Sequence, residues 1–305
     1  MKYFDNTMLA SAKKCKRHFY LRHVKNWRSA GTAAPLAFGA AWHSAMNPIW
    51  TLQLIDYSGL LKAAMVGFLK TWEEELPEEL RQKPEFLKFR NTDTAMEMLA
   101  SYIAQRADWI RAHVSEVQAE LPFCFSIDDF FYIGRKDKLA VVDGRKTIIE
   151  HKTTSDYRKD GGFSPDFMDQ FELDSQILGY ITSEGVEEPT RVLVDGALVH
   201  ANVHDRFRFI PVDRSRPELE MWLGETTELI HEISTRVSTG LGARLFPRNT
   251  ESCFGRYGRC PFFDICRFTA NPDALDGPPD GFVVDKWEPF DFHELQKAGY
   301  IKQEE

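Results

Sequence analysis

The sequence has no apolar run that approaches the roughly 18 to 20 residues of a membrane span, so we expect no membrane partner. Residues 1–6 lack the apolar segment of a secretory signal, and a cytoplasmic location is therefore expected. The chain also has no internal repeat and no Gly-x-x-x-x-Gly-Lys-Ser/Thr phosphate loop. Any ATP-driven step would therefore have to come from another chain.

Acidic residues also outnumber basic ones, so the net charge is −8. Its distribution is uneven, however: the segment from Lys13 to Arg28 contains basic residues and no acid. A local basic surface at Lys13, Lys14, Lys16 and Arg17 can hold a phosphate backbone even on an acidic protein. The alternative is a solvated basic helix that binds no nucleic acid.

The periodicity of the sequence predicts a helical first part, followed by a mixture of strands and helices. Helices are predicted at residues 7–26 with Asn6 or Thr7 as N-cap, 38–61 with an interruption at Pro48, 60–75, 93–120, 168–183 and 217–239. Strands are predicted at residues 130–133, 139–142, 147–149, 191–194, 197–203 and 206–212, with turns at Asp143-Gly144 and Asp195-Gly196. Residues 271–280 are typical of a linker to a loosely held tail.

Four short clusters are the most informative feature of the chain. They are Gly39 to His43, Gly134 to Asp137, Glu150-His151-Lys152, and Gln176 to Tyr180. One imidazole and two carboxylates, from His43, Asp137 and Glu150, are hard ligands of the kind that hold Mg²⁺ or Mn²⁺. Lys152, two residues after Glu150, supplies a positive charge for a developing phosphorane. Together these groups are suited to metal-assisted cleavage of a phosphodiester.

The predicted hairpin would bring the two carboxylates together. Asp137 and Glu150 lie on its neighbouring strands, while Glu150 and Lys152 share one strand face because side chains alternate. Two converging carboxylates repel each other unless a cation is present, which favours a metal site. The alternative for Glu150 and Lys152 is a salt bridge on an exposed strand, but the apolar residues 147–149 indicate a central, buried strand.

The two remaining clusters also have ordinary interpretations. His43 lies at the start of a predicted helix, where a lone histidine is commonly a core or surface residue. Gln176 and Tyr180, four residues apart, share a helix face and could be a polar surface pair. They could also hold a phosphate or a flipped strand.

Taken together, the clusters resemble the motifs of the PD-(D/E)xK nuclease superfamily, in the RecB-like branch that includes the nuclease domains of AddAB and the CRISPR-associated adaptation exonucleases. The matching motifs are Gly39 to His43, Gly134 to Asp137, Glu150-His151-Lys152-Thr153-Thr154, and Gln176 to Tyr180. Glu150 stands where many relatives have Asp, and the superfamily accepts either carboxylate. The resemblance implies an α/β, restriction-endonuclease-like fold, with a mixed sheet flanked by helices.

The resemblance also implies the activity and the roles of residues. It implies cleavage of DNA with Mg²⁺ or Mn²⁺ bound by His43, Asp137 and Glu150. Lys152 would orient or activate the attacking water, and Gln176 and Tyr180 would complete the catalytic site. The implied partners are DNA, as a single strand or as a duplex with an end, and a helicase or recombination protein.

Length and composition are consistent with such a domain. Hydrophobic residues make up 43% of the 305 residues and charged residues 28%, which is ordinary for a soluble globular protein. We expect a single nuclease domain over residues 1–270, with a helical part over about 1–120, a catalytic sheet core over about 121–240 and a Cys-rich segment over 241–270. A linker and tail are expected over residues 271–305.

The five cysteines predict a second cofactor. Cys124 lies in an apolar run and is expected to be a buried small hydrophobe. Structural zinc sites usually begin with two cysteines separated by about two to four residues, and this spacing is absent among Cys253, Cys260 and Cys266. Three close cysteines and a distant one instead suit an iron–sulfur cluster. RecB-like nucleases with such clusters have one N-terminal and three C-terminal cysteines, so the resemblance implies Cys15 as fourth ligand of a [4Fe–4S] cluster. The alternative is a set of ordinary reduced thiols.

We therefore expect a metal-dependent deoxyribonuclease, and more specifically an exonuclease, that acts in DNA recombination, repair or processing. One alternative is an inactive nuclease fold that serves as a DNA-binding or scaffold subunit with a structural iron–sulfur cluster. The presence of all four clusters argues against it. A second alternative is a nucleic-acid adaptor in which the three close cysteines bind zinc.

Overall fold

The computed structural model describes residues 2–31, 33–52, 56–158, 162–200, 205–255 and 258–288. The chain forms two compact units. The central unit consists of Thr32–Leu121 and Arg135–Leu219. The terminal unit consists of Met1–Gly31, Pro122–Gly134 and Glu220–Glu305.

The described residues form the following regular elements. The α-helices are α1 (Asn6–Lys14), α2 (Lys16–Phe19), α3 (Ala34–Thr51), α4 (Tyr57–Glu75), α5 (Glu78–Arg81), α6 (Pro84–Leu87), α7 (Thr92–His113), α8 (Pro165–Asp169), α9 (Ser175–Ser183), α10 (Arg216–Ser238) and α11 (Phe263–Phe268). A π-helical turn occupies Tyr20–Val24, and 3₁₀ turns occupy Gln170–Leu173, Gly242–Leu245, Thr250–Cys253 and Pro272–Ala274. The strands are β1 (Tyr3–Phe4), β2 (Trp27–Ser29), β3 (Val114–Ile127), β4 (Phe130–Val142), β5 (Arg145–Thr154), β6 (Arg191–Leu198), β7 (Phe207–Val212), β8 (Phe254–Gly255), β9 (Gly258–Arg259) and β10 (Phe282–Val284).

The central unit is built around a mixed sheet. The second part of β4 pairs antiparallel with β5, β5 pairs in parallel with β6, and β6 pairs antiparallel with β7. Helices α3, α4 and α7 pack on one another, and α3 and α9 contact β5 and β6 respectively. The predicted α/β fold, a mixed sheet flanked by helices, is therefore confirmed.

Helix α3 contributes a fully buried apolar face to the core of this unit. Phe38, Ala41, Trp42 and Ala45 recur at helical spacing and are fully buried. This apolar face fixes the rotation of α3, and with it the direction of the polar side chains that lie between the apolar ones.

In the terminal unit, short strands tie the two ends of the chain together. β1 pairs in parallel with the first part of β4, and β2 pairs antiparallel with β10, with Trp27 opposite Val284. Trp287 donates a hydrogen bond from Nε1 to Asp5 Oδ2 at 2.6 Å. Residues 282–284 and 287 are thus bonded to the N-terminal part of the chain, and residues 289–305 of the predicted tail lie outside the described residues.

The first predicted helix, 7–26, is interrupted at Cys15. Helix α1 begins at Asn6, and its N-cap is Asp5 rather than Asn6 or Thr7, because Asp5 Oδ1 accepts from the main-chain nitrogen of Met8 at 2.8 Å. Cys15 has an extended backbone (φ −165°, ψ 119°) that separates α1 from α2. Helical periodicity continues across the break, so the pattern of apolar residues did not indicate it.

The second predicted helix, 38–61, is replaced by α3 and α4. Helix α3 begins at Ala34 and continues through Pro48 to Thr51, because a proline in the last turn removes only one hydrogen bond. Helix α4 begins only at Tyr57, where Asp56 caps it. Residues 53–55 lie outside the described residues.

The prediction of a helix over 93–120 is wrong after His113. Helix α7 ends there, and the buried Val114 begins β3. Val114 continues the helical spacing of the buried residues of α7, which is why the pattern overran the end of the helix. The strands predicted at 130–133 and 139–142 are a single strand, β4.

The two Asp-Gly pairs have different structures. Asp143 and Gly144 have positive φ angles of 50° and 78°, as a type I′ turn requires, so the predicted hairpin of β4 and β5 is confirmed. Asp195 and Gly196 instead lie inside β6, so the predicted turn is wrong. β6 bonds to strands on both sides, and this pairing overrides the local turn preference. Residues 201–203 of the predicted strand lie outside the described residues.

Within the described ranges, none of the helices combines the length and the apolar character that a membrane crossing requires.

Candidate active site

The predicted catalytic strand lies at the centre of the sheet of the central unit. Glu150 and Lys152 point to the same side of β5, and Lys152 Nζ lies 2.6 Å from Glu150 Oε1. Glu150 is only 1% exposed, so this pair is not a salt bridge on an exposed strand. The buried acid is what the apolar residues before it predicted.

Helix α3 brings His43 to the second carboxylate. His43 Nδ1 lies 3.1 Å from Asp137 Oδ2, and Asp137 belongs to β4, next to β5. Gly39, one turn before His43, lies beside β5, where a Cβ atom added to it would make an ordinary van der Waals contact with Thr153 Oγ1 at 3.5 Å. Two of the four clusters, at the start and the middle of the chain, therefore meet at Asp137.

Helix α9 brings the fourth cluster to Lys152. Lys152 Nζ donates to Gln176 Oε1 at 2.9 Å, and Gln176 Nε2 donates to Tyr180 Oη at 2.6 Å. Asp174 caps the helix by accepting from the main-chain nitrogen of Gln176 at 2.7 Å. Gln176 and Tyr180 are thus connected to Glu150 through Lys152, so they are not an isolated polar pair on the surface.

The pKa values of the two carboxylates shift in opposite directions. Burial raises the pKa of Glu150 to about 7, and the negative charge of Asp137 acts in the same direction, while Lys152 opposes it. Burial would also raise the pKa of Asp137, but the charge of His43 and the hydrogen bond between them hold that pKa below its usual range. Burial would lower the pKa of His43, whereas Asp137 raises it. A cation would favour the ionised form of both carboxylates.

The donor atoms suit a hard divalent cation. Glu150 Oε2 is buried and has no hydrogen-bond partner among the residues that the structure describes. A buried carboxylate oxygen without a donor is destabilised, and a cation would satisfy it. His43, Asp137 and Glu150 are paired with neighbouring side chains rather than grouped, and the described residues contain no cluster of three or more His, Cys, Asp or Glu arranged around a metal position.

Sequence reasoning missed Asp195. It is 2% exposed, it stands opposite His151 in the pairing of β5 with β6, and its Oδ2 lies 3.0 Å from His151 Nδ1. The Gly that follows it favoured a turn. The apolar residues on both sides, Val192 to Val194 and Ala197 to Leu198, were the signal that one strand continues through it.

The structure places the four cysteines proposed as iron–sulfur ligands in the terminal unit. Cys15 Sγ accepts from the main-chain nitrogen of Asn249 at 3.3 Å, four residues before Cys253. Burial raises the pKa of Cys260, and the charges of Cys15 and Cys253 raise it further. The pKa of Cys266 is raised by burial and by Cys15 and Cys260. The distant Cys15 is therefore an electrostatic neighbour of the three close cysteines.

The predicted basic surface divides into two pairs. Lys13 and Lys14 are exposed at the end of α1. Lys16 Nζ instead pairs with Glu232 at 2.7 Å, and Arg17 donates to the carbonyl oxygens of Phe246 and Ala243. Lys13 and Lys14 are therefore better placed to contact a phosphate.

Comparisons with known proteins concern the family and the fold of the chain. The family model of the PD-(D/E)XK nuclease superfamily matches residues 7–267. Among solved structures, the chain is similar to a protein of Eubacterium rectale named "Putative exonuclease", with 16% identity, 91% of each chain covered and a TM-score of 0.51, which shows a shared fold. A structure of the protein SSO0001 matches with 12% identity, 73% of this chain and 84% of that chain covered, and a TM-score of 0.26. No curated protein matches.

Proposed function

Because the chain belongs to the PD-(D/E)XK nuclease superfamily, we propose that it hydrolyses phosphodiester bonds in DNA with the help of a divalent metal ion. The observation that carries this proposal is the pairing of His43 with Asp137 and of Lys152 with Glu150 in the central unit, where the charges of the two carboxylates act on each other. These residues come from three separate places in the sequence, and all have the chemistry that such a reaction needs.

Each side chain has a proposed role. His43, Asp137 and Glu150 would hold Mg²⁺ or Mn²⁺, whose charge screens the scissile phosphate. Lys152 is fixed by Glu150 and Gln176, so its ammonium can orient the attacking water or stabilise the charge that develops on the phosphate.

Gln176 and Tyr180 have a supporting role in the same proposal. The amide of Gln176 accepts from Lys152 and donates to Tyr180, and this hydrogen-bonded chain holds the ammonium in place. The exposed Lys13 and Lys14 would contact the phosphate backbone of the substrate in the terminal unit.

We further propose that the protein is an exonuclease of the RecB-like branch, acting on a single strand or a duplex end in recombination, repair or DNA processing. The order of the motifs Gly39 to His43, Gly134 to Asp137, Glu150 to Thr154 and Gln176 to Tyr180 supports this branch. A helicase or recombination protein would be the partner, and it would supply any ATP-driven unwinding, since the sequence contains no phosphate loop.

The four cysteines support a [4Fe–4S] cluster with a structural role. Cys15, Cys253, Cys260 and Cys266 supply four thiols, and the backbone break at Cys15 turns this residue out of regular helix beside Asn249. Four thiolates are the ligand set of such a cluster. Bound there, the cluster would join the two ends of the terminal unit and contribute to its stability.

The test of the proposed function is cleavage of end-labelled single-stranded and duplex DNA with Mg²⁺, Mn²⁺ or EDTA. We expect cleavage with either metal, loss of cleavage in EDTA, and loss of activity in Asp137→Ala and Glu150→Ala with the fold retained. Asp213→Ala is the matched control, because this carboxylate is in the same unit but lies half-exposed and pairs with Arg191. Near wild-type activity of either site variant would refute the assignment, and labels at the 5′ and 3′ ends would give the polarity.

A further inference from the structure

The central unit buries a polar network that joins β5 and β6 to α3 and α7. Trp50, Tyr102, His151 and Asp195 form it, and each is at most 2% exposed. Trp50 Nε1 donates to Tyr102 Oη at 3.1 Å, and Tyr102 Oη donates to Asp195 Oδ2. His151 Nδ1 lies 3.0 Å from the same oxygen. Burying several polar groups is unfavourable unless they are bonded to one another, and the roles proposed above use none of the four side chains.

The direction of the hydrogen bond between His151 and Asp195 follows from their surroundings. Asp195 Oδ2 already accepts a hydrogen bond from Tyr102 Oη. Asp195 Oδ2 is an acceptor, and so Nδ1 of His151 carries the hydrogen and donates. Nε2 of His151 has no hydrogen-bond partner among the described residues. The bond to Asp195, together with the ring contacts to His43 and Trp50, therefore holds the ring in its orientation.

The same residue touches the proposed metal site through its backbone. The main-chain nitrogen of His151 donates to Asp137 Oδ2 at 2.7 Å, and this oxygen also lies 3.1 Å from His43 Nδ1. Since His151 stands opposite Asp195 in the parallel pairing of β5 and β6, the side-chain bond fixes the backbone of β5 at this position. The direction of the N–H group toward Asp137 is fixed with it.

We propose that Asp195 is a positioning residue, which acts through His151 to orient the Asp137 carboxylate and thereby sets the affinity of the site for a divalent cation. The inference rests on the proposed function in one respect, that Asp137 is a metal ligand. Hydrogen-bond partners of ligands typically change metal affinity or activity by about 10- to 100-fold when they are removed. Asp195 would act indirectly, through the side chain and the main-chain N–H group of His151.

The test measures Mn²⁺ binding directly, by calorimetric titration of the full chain, for wild type, Asp195→Ala and Asp195→Asn. Asp195→Ala leaves His151 without its acceptor, and we expect Mn²⁺ to bind about 10-fold more weakly or worse. Asp195→Asn keeps an oxygen that can accept from His151, so it should recover most of the affinity. The same ranking is expected for the Mn²⁺ concentration that gives half-maximal cleavage, with the rate at saturating Mn²⁺ changed much less.

The matched control is Thr147→Val. Thr147 lies on the same strand, is 2% exposed and donates one hydrogen bond, to the carbonyl oxygen of Arg145. Its replacement removes a buried polar bond from β5 with little change in shape, away from Asp137. We expect it to lower the melting temperature and to leave the Mn²⁺ dissociation constant within about twofold, since it touches neither Asp137 nor His151.

The outcomes separate this inference from the proposed function. The inference is overturned if both Asp195 variants bind Mn²⁺ as tightly as the wild type. It is also overturned if they bind Mn²⁺ no more weakly than Thr147→Val does at an equal loss of stability. In either case Asp195 has a structural role only. The same holds if Asp195→Asn gives no rescue. If Asp195→Ala does not fold, His151→Ala takes its place, because it removes the same side-chain hydrogen bond while keeping the main-chain N–H that donates to Asp137, and it is compared with Thr147→Val by the same criterion. Mn²⁺ affinity that depends on Asp195 in a protein that cleaves no DNA would support the inference and refute the proposed function.

Discussion

Lys152 is held between Glu150 and Gln176, so its ammonium has a defined position beside the proposed metal ligands. We predict that Lys152→Ala lowers the cleavage rate by about 10²–10³-fold, the usual effect of removing one preorganised electrostatic interaction, with little change in DNA affinity. Single-turnover cleavage at saturating DNA and a separate binding titration would measure the two quantities. Lys146→Ala, on the same strand but exposed, is the control. Weak binding with normal cleavage at saturation would instead assign Lys152 to holding phosphate.

His23 predicts a pH dependence of stability. It is buried, neither ring nitrogen has a hydrogen-bond partner among the described residues, and burial lowers its pKa to about 3, with Arg22 acting in the same direction. Because the pKa is lower in the folded state than the unfolded value near 6.5, the stability associated with neutral His23 is complete above that value and is lost as pH falls toward the folded pKa.

The corresponding variant is His23→Phe. Between pH 7 and about pH 4.5, we expect the wild type to lose up to about 3 kcal/mol more of its unfolding free energy than the variant does, because pH 4.5 lies about two units below the unfolded pKa and each unit is worth about 1.4 kcal/mol. Urea denaturation at several pH values would measure the difference. His231→Phe, at an exposed position, is the control. Parallel pH profiles for wild type and His23→Phe would contradict the prediction.

Among the helices, α3 and α4 are packed so closely that a single methyl group should separate them. A Cβ atom added at Gly67 of α4 would lie 2.8 Å from the carbonyl oxygen of Ser44, next to His43 on α3. We predict that Gly67→Ala destabilises the protein by about 1–3 kcal/mol, since backbone must move to relieve the overlap. Gly224→Ala in α10 is the control, because nothing lies within 4 Å there, and it should stabilise by up to about 1 kcal/mol. Thermal unfolding of both variants tests this, and equal stabilisation by both would contradict it.

The basic residues of α1 and α2 should differ in their effect on DNA binding. Neutralising the exposed Lys13 and Lys14 to Ala should weaken DNA binding and lower the salt dependence of log K by nearly one unit for each phosphate that the helix no longer binds. Lys16→Ala should mainly reduce stability, because Lys16 pairs with Glu232. Binding titrations over a range of salt concentrations would measure both effects. An unchanged slope in the Lys13/Lys14 variant would mean that the end of α1 is merely solvated.

For the molecule as a whole, the predicted cluster is the feature with the largest expected effect. Anaerobically purified protein should be brown and contain about four irons per chain if Cys15, Cys253, Cys260 and Cys266 bind one [4Fe–4S] centre. Replacing any of these by Ser should bleach the colour and leave the protein poorly soluble, because the terminal unit would lose the stability that cluster binding contributes.

Cys124→Ser is the control for this prediction. Burial raises the pKa of the Cys124 thiol to about 11, so this thiol is unreactive. The Cys124→Ser variant should therefore retain its colour and its iron, with a modest loss of stability from the hydroxyl group. Zinc can replace iron at the same thiolates during aerobic purification, and for this reason a zinc signal alone is not decisive. A colourless and iron-free protein from anaerobic purification, still folded and active, would exclude the cluster.

The sequence by itself determined the fold class, the hairpin and the chemistry of the site. Apolar alternation and the Asp143-Gly144 pair act locally, so the antiparallel pairing of β4 and β5 could be predicted from neighbouring residues. The same alternation places Glu150 and Lys152 on one face of β5.

Only the tertiary structure decided the role of the second Asp-Gly pair and the contacts that cross between elements. Asp195 lies in a strand because β5 and β7 both bond to β6, and this pairing overrides the local turn preference of Asp195-Gly196. The distances from His43 to Asp137 and from His151 to Asp195 depend on how a helix and two strands pack, over separations of 94 and 44 residues. Short-range preferences are properties of neighbouring residues, whereas a buried polar contact exists only when the whole unit has folded around it.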